Sequence, residues 1–143
     1  RIGLALNPTF VAFTPWTSLD GYLGFLSRIA ELGLVGNVSP IQYAIRLLIP
    51  AGSLILDLPD MAELVFDAES LTHPWIHPDP RMDELQETIL RVATQSDSRS
   101  EVFAATWRAA RSLSTDDRWS VDPPIDEAVP LATVPYLTEP WYC

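Results

Sequence analysis

The apolar pattern changes period along the chain. Phe10-Val11-Ala12-Phe13 is a short continuous apolar run bracketed by Pro8 and Pro15. Its length and its aromatic and β-branched content predict a strand buried on both faces. Thr17 or Ser18 then offers an N-cap for a helix over 19–32, whose apolar positions Leu19, Tyr22, Leu23, Leu26, Ile29 and Ala30 form one stripe. Gly33 suits the left-handed position that ends such a helix. Gly21 and Gly24 each cost it about 1 kcal/mol against alanine, so a close approach to a sheet is expected. Residues 35–40 read as a connection. Residues 42–49 (Gln42 to Ile49) read as a second buried strand, ended by the turn Pro50-Ala51-Gly52-Ser53, with a helical turn over 54–58. Strand, crossover helix and strand make a βαβ unit, hence parallel and right-handed.

Downstream, residues 66–80 are irregular, with prolines at 74, 78 and 80. Asp79 is a natural N-cap and Pro80 a natural first helical residue. The helix that follows places Met82, Leu85, Ile89 and Val92 on one face. A polar break over 95–100 precedes a third helix over 101–113, with Val102, Phe103, Thr106, Trp107, Ala110 and Leu113 inward. Residues 114–143 are proline-rich and read as extended. The organisation expected is therefore an α/β portion over 1–58 and a mainly helical, then extended, acidic region over 59–143. A two-stranded βαβ unit leaves both outer edges open, which native chains avoid. The expected partner is a missing N-terminal part or another chain pairing those edges, a second copy included. The opening on Arg1, inside an apolar run, fits a fragment.

At 143 residues and 48% hydrophobic content the chain can bury one core. The net charge is −10, and all nine basic residues are arginine. Residues 1–56 hold two acids and three arginines, so the negative charge lies beyond residue 56. An acidic chain is repelled by phosphate backbones and anionic lipid, so neither nucleic acid nor membrane is an expected partner. A single cysteine, Cys143, excludes an internal disulfide framework. The first residues lack the layout of a signal peptide, and no apolar run approaches the ~20 residues of a membrane span. A cytoplasmic setting is expected.

Several stretches resemble one family in order along the chain. Asn7-Pro8-Thr9-Phe10-Val11-Ala12-Phe13-Thr14-Pro15-Trp16-Thr17 resembles a late-barrel segment of radical S-adenosylmethionine (SAM) enzymes, and Ile45-Arg46-Leu47-Leu48-Ile49-Pro50-Ala51-Gly52-Ser53 resembles the next strand. His77-Pro78-Asp79-Pro80-Arg81-Met82-Asp83 and Leu137-Thr138-Glu139-Pro140-Trp141-Tyr142-Cys143 resemble the C-terminal region of the branch whose tails read Cys, then selenocysteine or Cys, then Ala-Glu-Pro, the CUAEP/CCAEP-tail proteins. The resemblance implies the last βαβ portion of a partial (β/α) TIM-like barrel followed by a helical tail. It implies reductive SAM cleavage at a 4Fe–4S cluster in the intact protein. The family's C-x-x-x-C-x-x-C loop is absent from these 143 residues, and one cysteine cannot supply the three thiolates a SAM-accessible cluster needs. This chain alone is therefore expected to bind no cofactor and to start no radical chemistry. A selenocysteine codon after Cys143 would be read as a stop, and Ala-Glu-Pro codons beyond it are expected on this resemblance.

The candidate site residues follow. Cys143 is the catalytic candidate, as half of a redox-active or metal- or arsenic-binding tail; the plainer reading is a free terminal thiol. Asn7, Thr14, Thr17 and Arg46 are the cofactor-binding candidates at the barrel mouth. Turn formation at Asn7-Pro8 and capping at Thr17 are sufficient alternatives. Arg46 lies within an apolar run and requires a partner, either a ligand carboxylate or a structural ion pair. His73 and His77 have the i, i+4 spacing of helical zinc sites, but Pro74 and Pro78 preclude that helix, so loop histidines packed on Trp75 are expected and no metal site. Trp107 reads as core, and Trp119 and Trp141 as packing the tail onto the body. The functional expectation is a C-terminal part of a radical SAM enzyme, with a non-enzymatic binding or oligomerisation module as the alternative.

Overall fold

The structure, a computed structural model, describes residues 6–123 and residue 125. Three helices dominate it: α1 (Leu19–Glu31), α2 (Pro80–Gln95) and α3 (Arg99–Ser112), with short 3-10 turns at Val35–Asn37, Pro40–Tyr43, Leu54–Asp57 and Asp117–Trp119. Each helix begins on the expected chemistry. Ser18, rather than Thr17, caps α1, its hydroxyl accepting from the Gly21 amide at 3.0 Å. Asp79 caps α2 ahead of Pro80, and Ser98 caps α3, which starts at Arg99, two residues before the predicted start. Such a cap satisfies one of the amides a helix start leaves unpaired. Gly33 carries φ +65° and closes α1 in the left-handed region where a side chain is strained. Among the described residues no helix is long and apolar enough to cross a membrane.

The stripe predicted for α1 is its buried face: Tyr22, Leu23, Leu26, Ile29 and Ala30. It joins Met82, Leu85 and Ile89 of α2 and Val102, Phe103, Trp107 and Ala110 of α3 in one core. α3 packs against both α1 and α2, and α2 also packs against the turn Pro40–Tyr43. Burying each large apolar side chain here contributes about 1.5–3 kcal/mol. A smaller satellite core, Ile49, Met61 and Trp75, holds the long excursion between the 3-10 turns and α2.

The expected α/β class is corrected. Among the described residues there is no sheet, and hence no βαβ portion of a TIM-like barrel. Pairing is limited to three isolated bridges: Phe13 with Arg46, parallel, and Pro50 and Asp67 each with Thr72, antiparallel. The two predicted strands do meet in the expected direction, but over a single residue pair. The physical reason lies in what covers them. Pro40 starts a 3-10 turn that carries Gln42 and Tyr43 into helical geometry, so the chain is available for pairing only from Ile45 onward. Upstream, the Phe10 amide donates to the Gln42 side-chain Oε1 at 2.8 Å rather than to a neighbouring backbone. Ala12, Phe13, Tyr43 and Ala44 are buried in the helical core, whereas Val11 and Leu48 are exposed and Ile49 belongs to the satellite core. The open-edge argument for a missing part or a second chain therefore has no strand pair to rest on. The glycines of α1 approach no sheet either; Gly24 faces the Trp119 ring, 3.8 Å from where its Cβ would stand.

Candidate functional site

Three stretches that lie far apart in sequence converge around Arg46. The Phe13 amide donates to the Ile45 carbonyl at 3.0 Å and the Leu47 amide to the Phe13 carbonyl at 2.8 Å, which fixes Arg46 opposite Phe13. The Arg46 guanidinium then reaches α2, where Nη1 donates to Asp83 Oδ1 at 2.6 Å. Nη2 donates to the Trp75 carbonyl. The guanidinium carbon lies 3.6 Å from the Trp75 ring centroid, a cation–π stack. The Trp75 indole donates back to the Leu47 carbonyl at 2.8 Å.

His77 extends the junction towards α1. Its amide donates to Asp83 Oδ2 at 3.0 Å, so Asp83 uses both oxygens. Nε2 lies 3.0 Å from the Thr17 carbonyl, and Nδ1 lies 3.0 Å from the Asp79 carbonyl; the tautomer protonated at Nε2 donates to Thr17. In that tautomer Nδ1 accepts from the Asp79 amide at 2.9 Å. His77 thus ties the start of α1 to the start of α2. Next to it, hydrogen bonds from Arg81 hold the Asp79 carboxyl below its usual value, and the Asp79 oxygen caps α2 as well. Beside Arg46 and Trp75 an open hollow of about 170 Å³ is bounded by Leu48, Thr72 and His73.

The sequence candidates fall unevenly on this junction. Arg46 is its centre, and its partner is the structural carboxylate Asp83. Thr14 and Thr17 form a closed turn before α1: the Thr14 amide donates to Thr17 Oγ1 at 3.0 Å, and the two hydroxyls lie 2.9 Å apart. Asn7 makes no hydrogen bond to the junction, and its Oδ1 is buried without a partner among the described residues. Cys143 and the stretch Leu137–Cys143 lie outside the described residues. His77 meets Trp75 at 6.5 Å between rings, whereas His73 rests on Phe66 at 5.2 Å and sets Nδ1 3.1 Å from the Ile49 carbonyl. Trp107 is core, and it packs edge-on against Trp119, whose indole reaches Asp20 at 2.9 Å. Among the described residues no three His, Cys, Asp or Glu side chains group as metal ligands.

The sequence assigns Asp83 no role, and Trp75 only that of a ring for the loop histidines to pack on. The signal for Asp83 was the arginine itself: a cation inside an apolar run requires an anion, and Asp83 is the acid one turn into the helix whose cap is Asp79.

The groups that the resemblance implies do not fit the arrangement. One cysteine in 143 residues cannot ligate a cluster. For SAM, the cation at Arg46 is committed to Asp83 and Trp75, and the two threonine hydroxyls to each other. The junction joins the entry segment, the 45–50 stretch and α2 into one body. No family model, no curated protein and no solved structure matches the chain.

Proposed function

We propose that this chain is a C-terminal part of a radical SAM enzyme, of the CUAEP/CCAEP-tail kind, and that it contributes structure rather than the cluster. One observation carries the reading. Three of the four stretches that bear the resemblance, 7–17, 45–53 and 77–83, meet at the Arg46 junction through the Phe13–Arg46 bridge, the Arg46–Asp83 ion pair and the His77–Thr17 hydrogen bond. Stretches that travel together in a family and touch in space are consistent with one shared scaffold. The portion's role is to hold that scaffold and to position the region that ends in Cys143, while SAM cleavage belongs to a cluster held elsewhere in the polypeptide.

The coding sequence upstream of Arg1 tests this. An in-frame C-x-x-x-C-x-x-C is expected. The protein expressed from that longer frame, purified without oxygen and given iron, sulfide and a reductant, is then expected to convert SAM to 5′-deoxyadenosine. A frame without the motif, or a loaded cluster with no SAM cleavage, overturns the proposal. The second reading, a non-enzymatic binding module, is favoured by one specific feature: the exposed apolar side chains of the stretch between Arg46 and α2.

A further inference from the structure

An apolar hollow of about 70 Å³ lies on α3, at the point the described chain reaches with Ile125. Phe103, Ala104, Trp107 and Arg108 of the helix make one wall. Their spacing puts them on one helical face. The opposite wall is the chain itself, returning over α3 at Asp122 and Ile125. The Trp107 indole donates to Asp122 Oδ1 at 3.0 Å and fixes that return. Arg108 is exposed. Its Nε donates to the Ala104 carbonyl at 3.2 Å, and it forms no ion pair with a described residue.

What fills the hollow follows from what the chain brings to it. Next in sequence, outside the described residues, come Asp126, Glu127, Ala128, Val129, Pro130 and Leu131. A proline biases the residue before it towards extended backbone, and in an extended segment residues two apart share a side. Val129 and Leu131 thus form an aliphatic pair preceded by two carboxylates, which matches an apolar hollow with an arginine at its rim. Val129 is four residues past Ile125, a reach of up to about 14 Å. So short a tether holds its side chains at a millimolar effective concentration, which a separate peptide would have to match. A second copy of the chain also brings net charge −10 against −10. We infer that the α3 hollow is the seat of residues 126–131, with Val129 and Leu131 in it and the Asp126 and Glu127 carboxylates beside Arg108. The seat anchors to the helical body the region that leads to Cys143. The inference does not depend on the proposed enzymatic role.

Nuclear Overhauser spectroscopy of the full, isotope-labelled chain is the test. Cross-peaks from the Val129 and Leu131 methyl groups to the Phe103 and Trp107 rings are expected. Ala104→Glu sets a carboxylate in the helical wall, at a half-buried position that helix geometry tolerates. It is expected to remove those cross-peaks and to speed exchange of the Leu131 amide by about tenfold or more. Circular dichroism verifies that the variant keeps the wild-type helix content. The variant V129S/L131S leaves α3 untouched and is expected to shift the Ala104 methyl and Trp107 indole resonances. Absence of the cross-peaks in the wild-type chain overturns the inference. So does their appearance only between differently labelled chains in a mixed sample, which assigns the hollow to a second copy. Cross-peaks at full strength in A104E, or unshifted Ala104 and Trp107 resonances in V129S/L131S, overturn it as well.

Discussion

Replacing Arg46 and Asp83 by alanine, singly and together, dissects the junction. The Arg46 side chain gives one charge-assisted hydrogen bond to Asp83 at 2.6 Å, one to the Trp75 carbonyl, and a stack on the Trp75 ring at 3.6 Å. Charge-assisted hydrogen bonds are worth about 1.5–3 kcal/mol when buried, and a cation–π contact about 0.5–2 kcal/mol. Both side chains of the pair are only about one-quarter exposed, 26% and 27%, so screening takes part of each value but not most of it. Arg46→Ala is therefore expected to cost about 3 kcal/mol. Asp83→Ala removes the Arg46 contact and the acceptor for the His77 amide, and leaves a half-buried cation beside an aromatic face, at about 2–3 kcal/mol. Because the two share one interaction, the double variant is expected to cost less than the sum, with a coupling energy of about 1–2 kcal/mol. Urea unfolding followed by circular dichroism measures all four corners of the cycle. A coupling within about 0.3 kcal/mol of zero, the additivity found for unconnected sites, refutes the reasoning.

Other perturbations probe the rest of the body. Phe103→Ala removes a ring with no solvent exposure from the middle of the core and is expected to cost about 3–5 kcal/mol in the same assay. Gly33→Ala places a side chain at φ +65° and is expected to lower stability by about 1 kcal/mol, whereas Gly24→Ala, 3.8 Å from the Trp119 ring, is expected to change it far less. Burial raises Tyr22 and Tyr43 above the ordinary tyrosine value of 10.0, with desolvation the main cause for both. A folded-state value above the unfolded one means the stability these rings contribute is intact below pH 10 and is lost as pH climbs towards the raised values. Alkaline titration read at 295 nm and by circular dichroism is expected to show at least two of the four tyrosines ionising only as helix signal disappears.

The helices were legible because their signals are local. A cap, a 3.6-residue stripe and a glycine suffice to draw α1, and Asp79-Pro80 suffices to start α2. The sheet was not, because a short apolar run does not say what will cover it. Phe10–Phe13 and Gln42–Ile49 carry the composition of buried strands, yet Phe13 and Tyr43 are buried by helices, and one parallel bridge is all the pairing between them. At the site, the buried cation Arg46 announced a partner but not its identity, since Asp83 and Trp75 lie 37 and 29 residues away and only packing brings them back. The Thr14–Thr17 turn was readable as local capping chemistry, which is how its hydroxyls are used.

The account rests on the joining of the entry segment, the 45–50 stretch and α2 at Arg46. Amide hydrogen exchange followed by NMR tests that joining most directly, at the Phe13 and Leu47 backbone amides and the Trp75 indole, whose acceptors are Ile45, Phe13 and Leu47. The prediction is that all three exchange slowly, and that Asp83→Ala accelerates them together. Exchange of the three at the rate of an unstructured chain, or acceleration of one without the others, contradicts it.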